Sequence, residues 1–191
     1  MARGGRRRRA GSMSEFKAFE EAVEVRGSVV LSFVNVMGAF KGIALGILRD
    51  NGIVDPKAHL WYSQQSWLDS FATISNEVGP NTLYQIGRQI PIEGHYPPTI
   101  DSIEKAFEEL DVAYKASHRG GEVGFYRFES TGMRSGRVTT FNPYPCEFDR
   151  GLIQSLAQRF EPTDSFVDIR HDVSEPCKKS GADYCVYHID W

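Results

Sequence analysis

The most constraining feature of this sequence is a change of hydrophobic periodicity at Gly120-Gly121. Before this point, apolar residues recur mostly at the three- and four-residue spacing of helices, most clearly over Ile103–Tyr114. After it, they alternate with polar residues over Arg137–Phe141 and Cys185–Asp190, as in strands, and Cys146–Phe160 is again helical in pattern. We therefore expect an α+β fold in which an N-terminal helical layer is followed by a small antiparallel sheet with a crossing helix.

Capping residues and helix breakers divide the helical part. Ser14 is a candidate N-cap for a first helix that runs through Val23. The apolar residues of Phe33–Ile47 indicate a buried helix or helix pair. The pattern that begins at Trp61 indicates a further helix, which Gly79-Pro80 would end, and the next helix would end at Pro91.

Charge separates the first residues from the rest of the chain. The formal net charge of the 191 residues is −3, but residues 1–12 carry five arginines and no acid, so the remainder is more acidic. We expect residues 1–13 to be a basic disordered tail or an expression remnant, and residues 14–191 to be one ligand-binding domain. Its helical part would span 14–119, and its sheet and cysteine part 120–191. An acidic body argues against nucleic acid as a partner.

No segment has the composition expected of a leader or a membrane span. The arginines are followed by no apolar stretch of a signal peptide. The most apolar run, Val29–Leu48, is interrupted by polar residues and glycines and falls short of the ~18 apolar residues that a span needs. We expect a cytoplasmic protein.

The three cysteines all lie near the C-terminal end. Cys177 and Cys185 form the pattern C-x3-G-x3-C with Gly181 midway, where a glycine allows the chain to reverse and both thiols to face one point. Cys146 precedes the last predicted helix. Three thiolates and a fourth donor would make a closed tetrahedral zinc site, with Glu175, Asp172, His171 and His188 as candidates for that donor. Buried free thiols, or a disulfide between two of them, are the alternatives.

The cysteine patterns resemble those of the 4-vinyl reductase domain. The matching positions are Cys146 with Gly151, and Cys177 with Gly181 and Cys185. This family occurs in bacterial sensors of aromatic compounds and in proteins of bacteriochlorophyll synthesis. It is similar in fold to the haem-nitric-oxide-binding domain and to a group of Golgi-tethering subunits.

The resemblance implies a zinc ion held by the three cysteines and a glutamate. In the family's phenol sensors that glutamate stands three residues before the middle cysteine, where this chain has Ser174. Glu175 is one position nearer, and we take it as the expected fourth ligand beside Cys146, Cys177 and Cys185.

Aromatic residues of the helical half are candidates for a small-molecule site. We expect His59, Trp61, Trp67, Phe71 and His95 to bind an apolar aromatic-type ligand, because such sites combine an apolar lining with a few polar groups. The alternative for Trp67 and Phe71 is simple core packing. A haem or chlorophyll-type tetrapyrrole is the alternative ligand, with His59 or His95 in an axial position.

The sequence lacks the characteristic motifs of several enzyme classes. It contains no phosphate-binding P-loop, no G-x-S-x-G elbow and no HExxH helix. The family resemblance implies a sensory or regulatory domain, which we favour over an enzyme, and we expect a homodimer that signals to a separate effector protein. An enzyme or carrier acting on a tetrapyrrole and a protein-assembly module without a ligand are the rival functions.

Overall fold

Among the residues that the structure describes, six of the seven α-helices lie before residue 117, whereas five of the seven strands and one helix lie after it. The computed structural model describes residues 15–94, 96–175 and 177–191. Its α-helices are α1 (Gly27–Met37), α2 (Lys41–Asp50), α3 (Gln64–Glu77), α4 (Pro80–Glu93), α5 (Ile103–Glu108), α6 (Leu110–Ala116) and α7 (Cys146–Arg159). Its strands are β1 (Glu24–Arg26), β2 (Trp61–Ser63), β3 (His118–Arg119), β4 (Phe125–Gly132), β5 (Ser135–Phe141), β6 (Asp168–His171) and β7 (Cys185–Asp190). Short 3-10 turns cover Gly38–Phe40 and Lys178–Ser180.

The strands form two antiparallel sheets. The larger sheet has the order β4-β5-β7-β6, and the smaller one the order β2-β1-β3. Strands β4 and β5 make the expected hairpin, and Thr140 of β5 pairs with Cys185 of β7. The α+β class and the order of a helical layer followed by a sheet with a crossing helix are confirmed. The small sheet, which ties the first helices to the end of α6, was not anticipated.

Helix α7 packs directly on α4 because two glycines remove the side chains between them. A Cβ atom added to Gly87 would lie 2.1 Å from the carbonyl oxygen of Phe148, and one added to Gly151 would lie 2.0 Å from that of Tyr84. The two helix backbones are therefore in contact at this crossing. This close approach fixes two of the walls that enclose the cavity described below.

Three local predictions differ from the structure. Residues 15–23 form turns instead of a helix, with Phe16 at a positive φ of 68°, while the proposed cap Ser14 lies outside the described residues. Trp61 lies on β2, and the helix begins only at Gln64, after the cap Ser63 accepts a hydrogen bond from the Ser66 amide. Helix α4 continues past Pro91 to Glu93. A proline in the last turn removes only one helical hydrogen bond there, so the turn survives.

The segment Gly27–Asp50 is long and apolar enough, by length and composition alone, to cross a membrane. Its most apolar window has a mean hydropathy of 1.7, and 28% of that window is buried. The 3-10 turn at Gly38–Phe40 divides it into α1 and α2, which bury Phe33 and Leu48 in the core. Phe40 and Ile43 remain exposed. The sequence had predicted no span in this region.

Candidate functional site

The three cysteines come together with His171 at one end of the large sheet. One donor atom from each of Cys146, His171, Cys177 and Cys185 lies within 4.8 Å of the other three. Cys146 is the first residue of α7, His171 the last of β6, and Cys185 the first of β7. Cys177 precedes the 3-10 turn, and its carbonyl accepts hydrogen bonds from the amides of Ser180 and Ala182. Four separate element ends therefore deliver four possible metal ligands to one point.

Gly181 reverses the chain between the last two cysteines, as the sequence predicted. It has a φ of 87°, in the left-handed region that glycine adopts without strain. The resulting turn carries Cys177 back toward the start of β7. This places both thiols of the C-x3-G-x3-C pattern in the cluster.

The thiols of the cluster are free and electrostatically coupled. The Sγ atoms of Cys146 and Cys185 are 3.2 Å apart, well beyond the ~2.05 Å of a disulfide. Their hydrogen bond lowers the pKa of Cys185, which His171 and the Lys178 ammonium lower further. The same bond, together with burial, raises the pKa of Cys146. Two thiols that share a proton in this way can exchange it for a metal ion.

His171 has the environment of a metal ligand. Its Nε2 atom is buried and has no hydrogen-bond partner, and its ring stacks on Tyr187 with the centroids 4.8 Å apart. An unpartnered buried nitrogen is costly unless something pairs with it. Three thiolate sulfurs and one imidazole nitrogen match a closed structural zinc site.

The other candidates for the fourth ligand lie elsewhere in the structure. Glu175 accepts a hydrogen bond of 3.3 Å from the hydroxyl of Tyr184 and is not part of the four-residue cluster. Asp172 accepts hydrogen bonds from Ser174 and His188, at 2.6 and 2.8 Å, and these lower its pKa. The structure thus brings His171, and not Glu175, to the three cysteines.

A cavity of about 470 Å³ opens between the helical layer and the sheet. Its apolar walls come mainly from α4, from α5 and α6, and from α7, and five aromatic side chains with polar atoms also line it. The apolar residues include Ile90, Ile100, Ala106, Leu110, Phe148, Leu152 and Leu156, and the polar aromatics are Tyr96, Tyr114, His118, Tyr126 and Tyr144. Arg26, Glu93 and Glu109 are the charged residues of the described lining. A concave, mainly apolar site with a few polar groups is the usual form of a small-molecule pocket.

Four of the five predicted ligand-binding residues, those that the structure describes, do not line this cavity. Trp67 and Phe71 are fully buried core residues, and Phe71 packs behind the wall against Phe148, with the ring centroids 5.2 Å apart. His59 is exposed, and Trp61 lies under the guanidinium of Arg119, 4.6 Å from its ring centroid. His95 lies outside the described residues.

His118 is the one histidine among the lining residues that the structure describes. Its Nδ1 atom lies 2.7 Å from the carbonyl oxygen of Tyr114, so it carries the proton and donates it to that acceptor. Its Nε2 atom then accepts from the hydroxyl of Tyr144, also at 2.7 Å. Burial lowers the pKa of His118 to about 4, although the bond to Tyr114 opposes this, so the ring is neutral at pH 7.

Sequence reasoning overlooked His118, although a signal was present. Tyr114 and His118 stand four residues apart at the end of the clearest predicted helix, a spacing that brings side chains together. Their rings are in contact in the structure, with centroids 4.6 Å apart.

A buried ion pair, Lys178 with Asp149, links residues of the cavity wall to the turn that follows Cys177 of the cysteine–histidine cluster. The Nζ atom of Lys178 is 2.7 Å from a carboxylate oxygen of Asp149, and both side chains are almost completely buried. The other carboxylate oxygen accepts a hydrogen bond of 2.6 Å from Tyr126. Lys178 also donates to the side-chain oxygen of Asn142 and to the carbonyl of Tyr144, at 2.9 and 2.5 Å. Burial, the largest single influence, opposes the charge on Lys178, but Asp149, Cys185 and Cys146 together outweigh it, and the net effect raises the lysine pKa.

Comparison with solved structures identifies the fold. An H-NOX protein from S. oneidensis in the Fe(II) ligation state aligns with a TM-score of 0.66 and 12% identity, over 86% of this chain and 95% of that one. A point mutant of the T. tengcongensis H-NOX gives 0.65 and 14%, over 86% and 96%. An Fe(II) unliganded mutant of the K. algicida H-NOX gives 0.62 and 13%, over 86% and 95%.

The chain therefore has the fold of H-NOX proteins. At these identities the likeness extends to the fold alone. No protein-family profile and no curated protein matches the sequence. The expected relation to haem-nitric-oxide-binding domains is confirmed at the level of fold, whereas membership of the 4-vinyl reductase family stays a prediction.

Proposed function

We propose that this chain is a sensory domain that binds a small, uncharged aromatic molecule in its central cavity. The observation that carries the proposal is the neutral His118–Tyr144 pair on an otherwise mainly apolar wall. The pair offers hydrogen-bonding capacity without charge, because the oxygen of Tyr144 donates to His118 and still has lone pairs to accept from a ligand. A ligand with one hydroxyl or N–H group on an aromatic body fits these requirements.

We further propose that Cys146, His171, Cys177 and Cys185 hold a structural zinc ion. The support is the donor set of three sulfurs and one nitrogen, the buried unpartnered nitrogen of His171 and a hydrogen-bonded pair of free thiols. Tetrahedral Zn–S bonds of ~2.3 Å imply S···S separations of about 3.8 Å, so a zinc ion requires only a small expansion of the 3.2 Å Cys146–Cys185 distance. The ion would join α7, β6 and β7 to the segment Cys177–Cys185, which we call the cysteine turn.

Haem is the second candidate ligand, and the fold comparison favours it. Two further solved structures with this fold concern haem distortion in the H-NOX family and the haem redox potential. His118 meets one requirement, because its Nδ1–H is held by a carbonyl, which leaves the lone pair on Nε2, the atom that an axial bond would use. A haem would supply an iron centre for a diatomic gas.

Two features of the cavity lining are unfavourable for haem. The Nε2 atom of His118 already accepts a hydrogen bond from Tyr144, which axial coordination would break. Arg26 is the one cationic side chain among the described lining residues, against Glu93 and Glu109, so two haem carboxylates would find little compensation. We therefore place the uncharged aromatic ligand first. A homodimer and a separate effector remain predictions.

One preparation can test these proposals together. The absorption spectrum, the zinc content and any retained molecule, identified by native mass spectrometry, would be measured on the same purified sample. Uncharged aromatics such as phenol, indole and 2-naphthol would then be titrated calorimetrically into the wild type, His118→Ala and the control His59→Ala. We expect about one zinc per chain, no Soret band, and saturable binding that His118→Ala alone weakens.

Other results would overturn specific parts of the proposal. A Soret band that disappears in His118→Ala would replace the aromatic ligand by haem. Absence of zinc would leave four unmetallated side chains at the cluster. Failure of every aromatic and of haem to bind would favour the assembly module.

A further inference from the structure

The buried ion pair is placed so that it touches both proposed sites. Lys178 follows the cluster residue Cys177 directly in sequence. Its ammonium reaches across to Asp149 and to the carbonyl of Tyr144. Asp149 in turn accepts the hydroxyl proton of Tyr126. Tyr126 and Tyr144 both line the cavity, so an unbroken series of hydrogen bonds runs from the cysteine turn to the cavity wall.

The series continues through the cavity wall to the helix on its far side. The backbone amide of Tyr126 donates to the carboxylate of Asp111 on α6 at 3.0 Å. Tyr144 bonds to His118, which is tied to the end of α6 through the carbonyl of Tyr114. Two routes therefore connect Lys178 with the segment that encloses the ligand.

Burial makes the position of Lys178 consequential. The side chains of Lys178 and Asp149 are 2% and 0% exposed. A buried carboxylate that loses its cation is strongly disfavoured, and water cannot take the place of the ammonium without opening the core. Whatever fixes Cys177 therefore also fixes the ammonium that holds Asp149 and the two tyrosines.

We propose that Lys178 is a positioning residue that couples metal occupancy of the cysteine turn to the order of the cavity wall. The proposal rests on the zinc and cavity sites proposed above. A metal ion on Cys177 anchors the turn, the turn places Lys178, and Lys178 with Asp149 holds Tyr126 and Tyr144 in their binding geometry. Since coupling of binding equilibria is reciprocal, a ligand in the cavity strengthens zinc binding by the same factor.

A double variant isolates this coupling from the stability of the core. Asp149→Leu with Lys178→Met replaces both charges by apolar groups, which avoids an unpaired buried charge. Lys179→Met is the matched control, because Lys179 lies on the same turn but pairs at the surface with Glu147, at 2.7 Å. Zinc affinity would be measured by competition with a chromophoric chelator. Amide hydrogen exchange would be followed residue by residue by NMR, with and without zinc.

We expect zinc to slow exchange of the Tyr126 and Tyr144 amides by at least about fivefold in the wild type and in Lys179→Met. In the double variant, we expect the zinc affinity to stay within about threefold of the wild-type value. The factor by which zinc slows exchange of the Tyr126 and Tyr144 amides should fall below about twofold. Tyr126→Phe, which leaves the ion pair intact, is expected to lose the protection at Tyr126 and retain it at Tyr144. It also provides the test if the double variant does not fold.

Each contrary outcome has a separate meaning. Zinc that binds to the wild type without slowing exchange at the cavity wall would overturn the coupling and leave the proposed zinc site intact. Protection that persists in the double variant, or at Tyr126 in Tyr126→Phe, would overturn the role of Lys178 and Asp149. A wild type that binds no zinc would overturn both the metal site and the coupling.

Discussion

The cysteine–histidine cluster and the cavity differ in how widely their residues are spread along the chain. All four cluster residues lie between Cys146 and Cys185, and three of them are cysteines. The cavity lining extends from Arg26 to Leu156 and consists mostly of residue types that are common in any core. A site made of rare residues at short spacing can be recognised in a sequence. A site made of common residues is defined only when the helices that carry them are packed together.

The first prediction distinguishes His171 from Glu175 as the fourth ligand of the proposed metal site. We expect Cys177→Ser and His171→Ala each to weaken zinc binding by about 100-fold or more, because each would remove a direct ligand of the proposed closed site. Loss of zinc should also lower the thermal midpoint, since structural zinc contributes folding free energy. Zinc affinity by chelator competition and the midpoint by circular dichroism measure both effects.

Glu175→Gln is the matched control for that prediction. It preserves the size of the side chain and can still accept from Tyr184, so zinc affinity should change by less than about twofold if His171 is the ligand. A large loss in Glu175→Gln with none in His171→Ala would restore the ligand set expected from the family resemblance.

The second prediction compares two adjacent lysines of the cysteine turn. Lys178→Met leaves Asp149 buried without its cation, and we expect it to lower the free energy of unfolding by about 3–5 kcal/mol. Lys179→Met disrupts an exposed pair with Glu147 and should cost less than about 1 kcal/mol. Urea denaturation of the zinc-loaded proteins measures the difference. Similar small losses for the two variants would mean that Lys178 is not fixed in the core.

The third prediction concerns the cavity wall and pH. The folded pKa of His118 is about 4, below the unfolded value of 6.5, so the unfolded chain binds the extra proton first as pH falls. The contribution of His118 is fully present above pH 6.5 and is lost as pH falls from 6.5 toward 4, by up to about 3 kcal/mol.

His118→Asn tests this contribution, because it removes the titrating group and keeps hydrogen-bonding capacity. Its free energy of unfolding should fall less between pH 7 and pH 5 than that of the wild type. His59→Asn, the same substitution at an exposed position, is the control. An identical slope in all three proteins would mean that His118 titrates normally and is not buried as a neutral ring.

The order of the elements and the cysteines of the cluster could be predicted from the sequence, whereas the cavity lining could not. The order of helices, hairpin, crossing helix and final strand could be predicted, because long amphipathic segments and alternating strands have distinct periods. The approach of Cys146, Cys177 and Cys185 to one point agrees with the sequence analysis, and the C-x3-G-x3-C pattern of the last two was its clearest signal. His171 was only one of four possible donors, since the pairing of β6 with β7 decides which side chain reaches the thiols.

The residues that line the cavity could not be predicted in the same way, because aromatic composition does not distinguish the wall of a cavity from the hydrophobic core. Trp67 and Phe71 lie on α3 behind the wall, whereas the small residues Ala106 and Ala113 line the cavity. The cavity combines small side chains of α5 and α6 with large ones of α7 such as Phe148, a combination that no single segment of the sequence reveals. The turns over residues 15–23 have a related cause, since the Phe16 amide bonds to the distant carbonyl of Pro143 and not to a neighbour in a helix.

The last prediction compares the cavity lining with the aromatic residues that the sequence analysis predicted to bind the ligand. Ala113→Trp adds a large side chain to the exposed part of the cavity lining, and we expect it to weaken binding of an uncharged aromatic by about tenfold, which corresponds to about 1.4 kcal/mol. Trp61→Ala removes a half-buried ring that packs under Arg119, outside the lining, and should change the affinity by less than about twofold. Calorimetric titration with the best-binding aromatic measures both. The opposite ranking would move the ligand from the cavity to the surface around β2, and the sequence-based assignment of Trp61 would then be the better one.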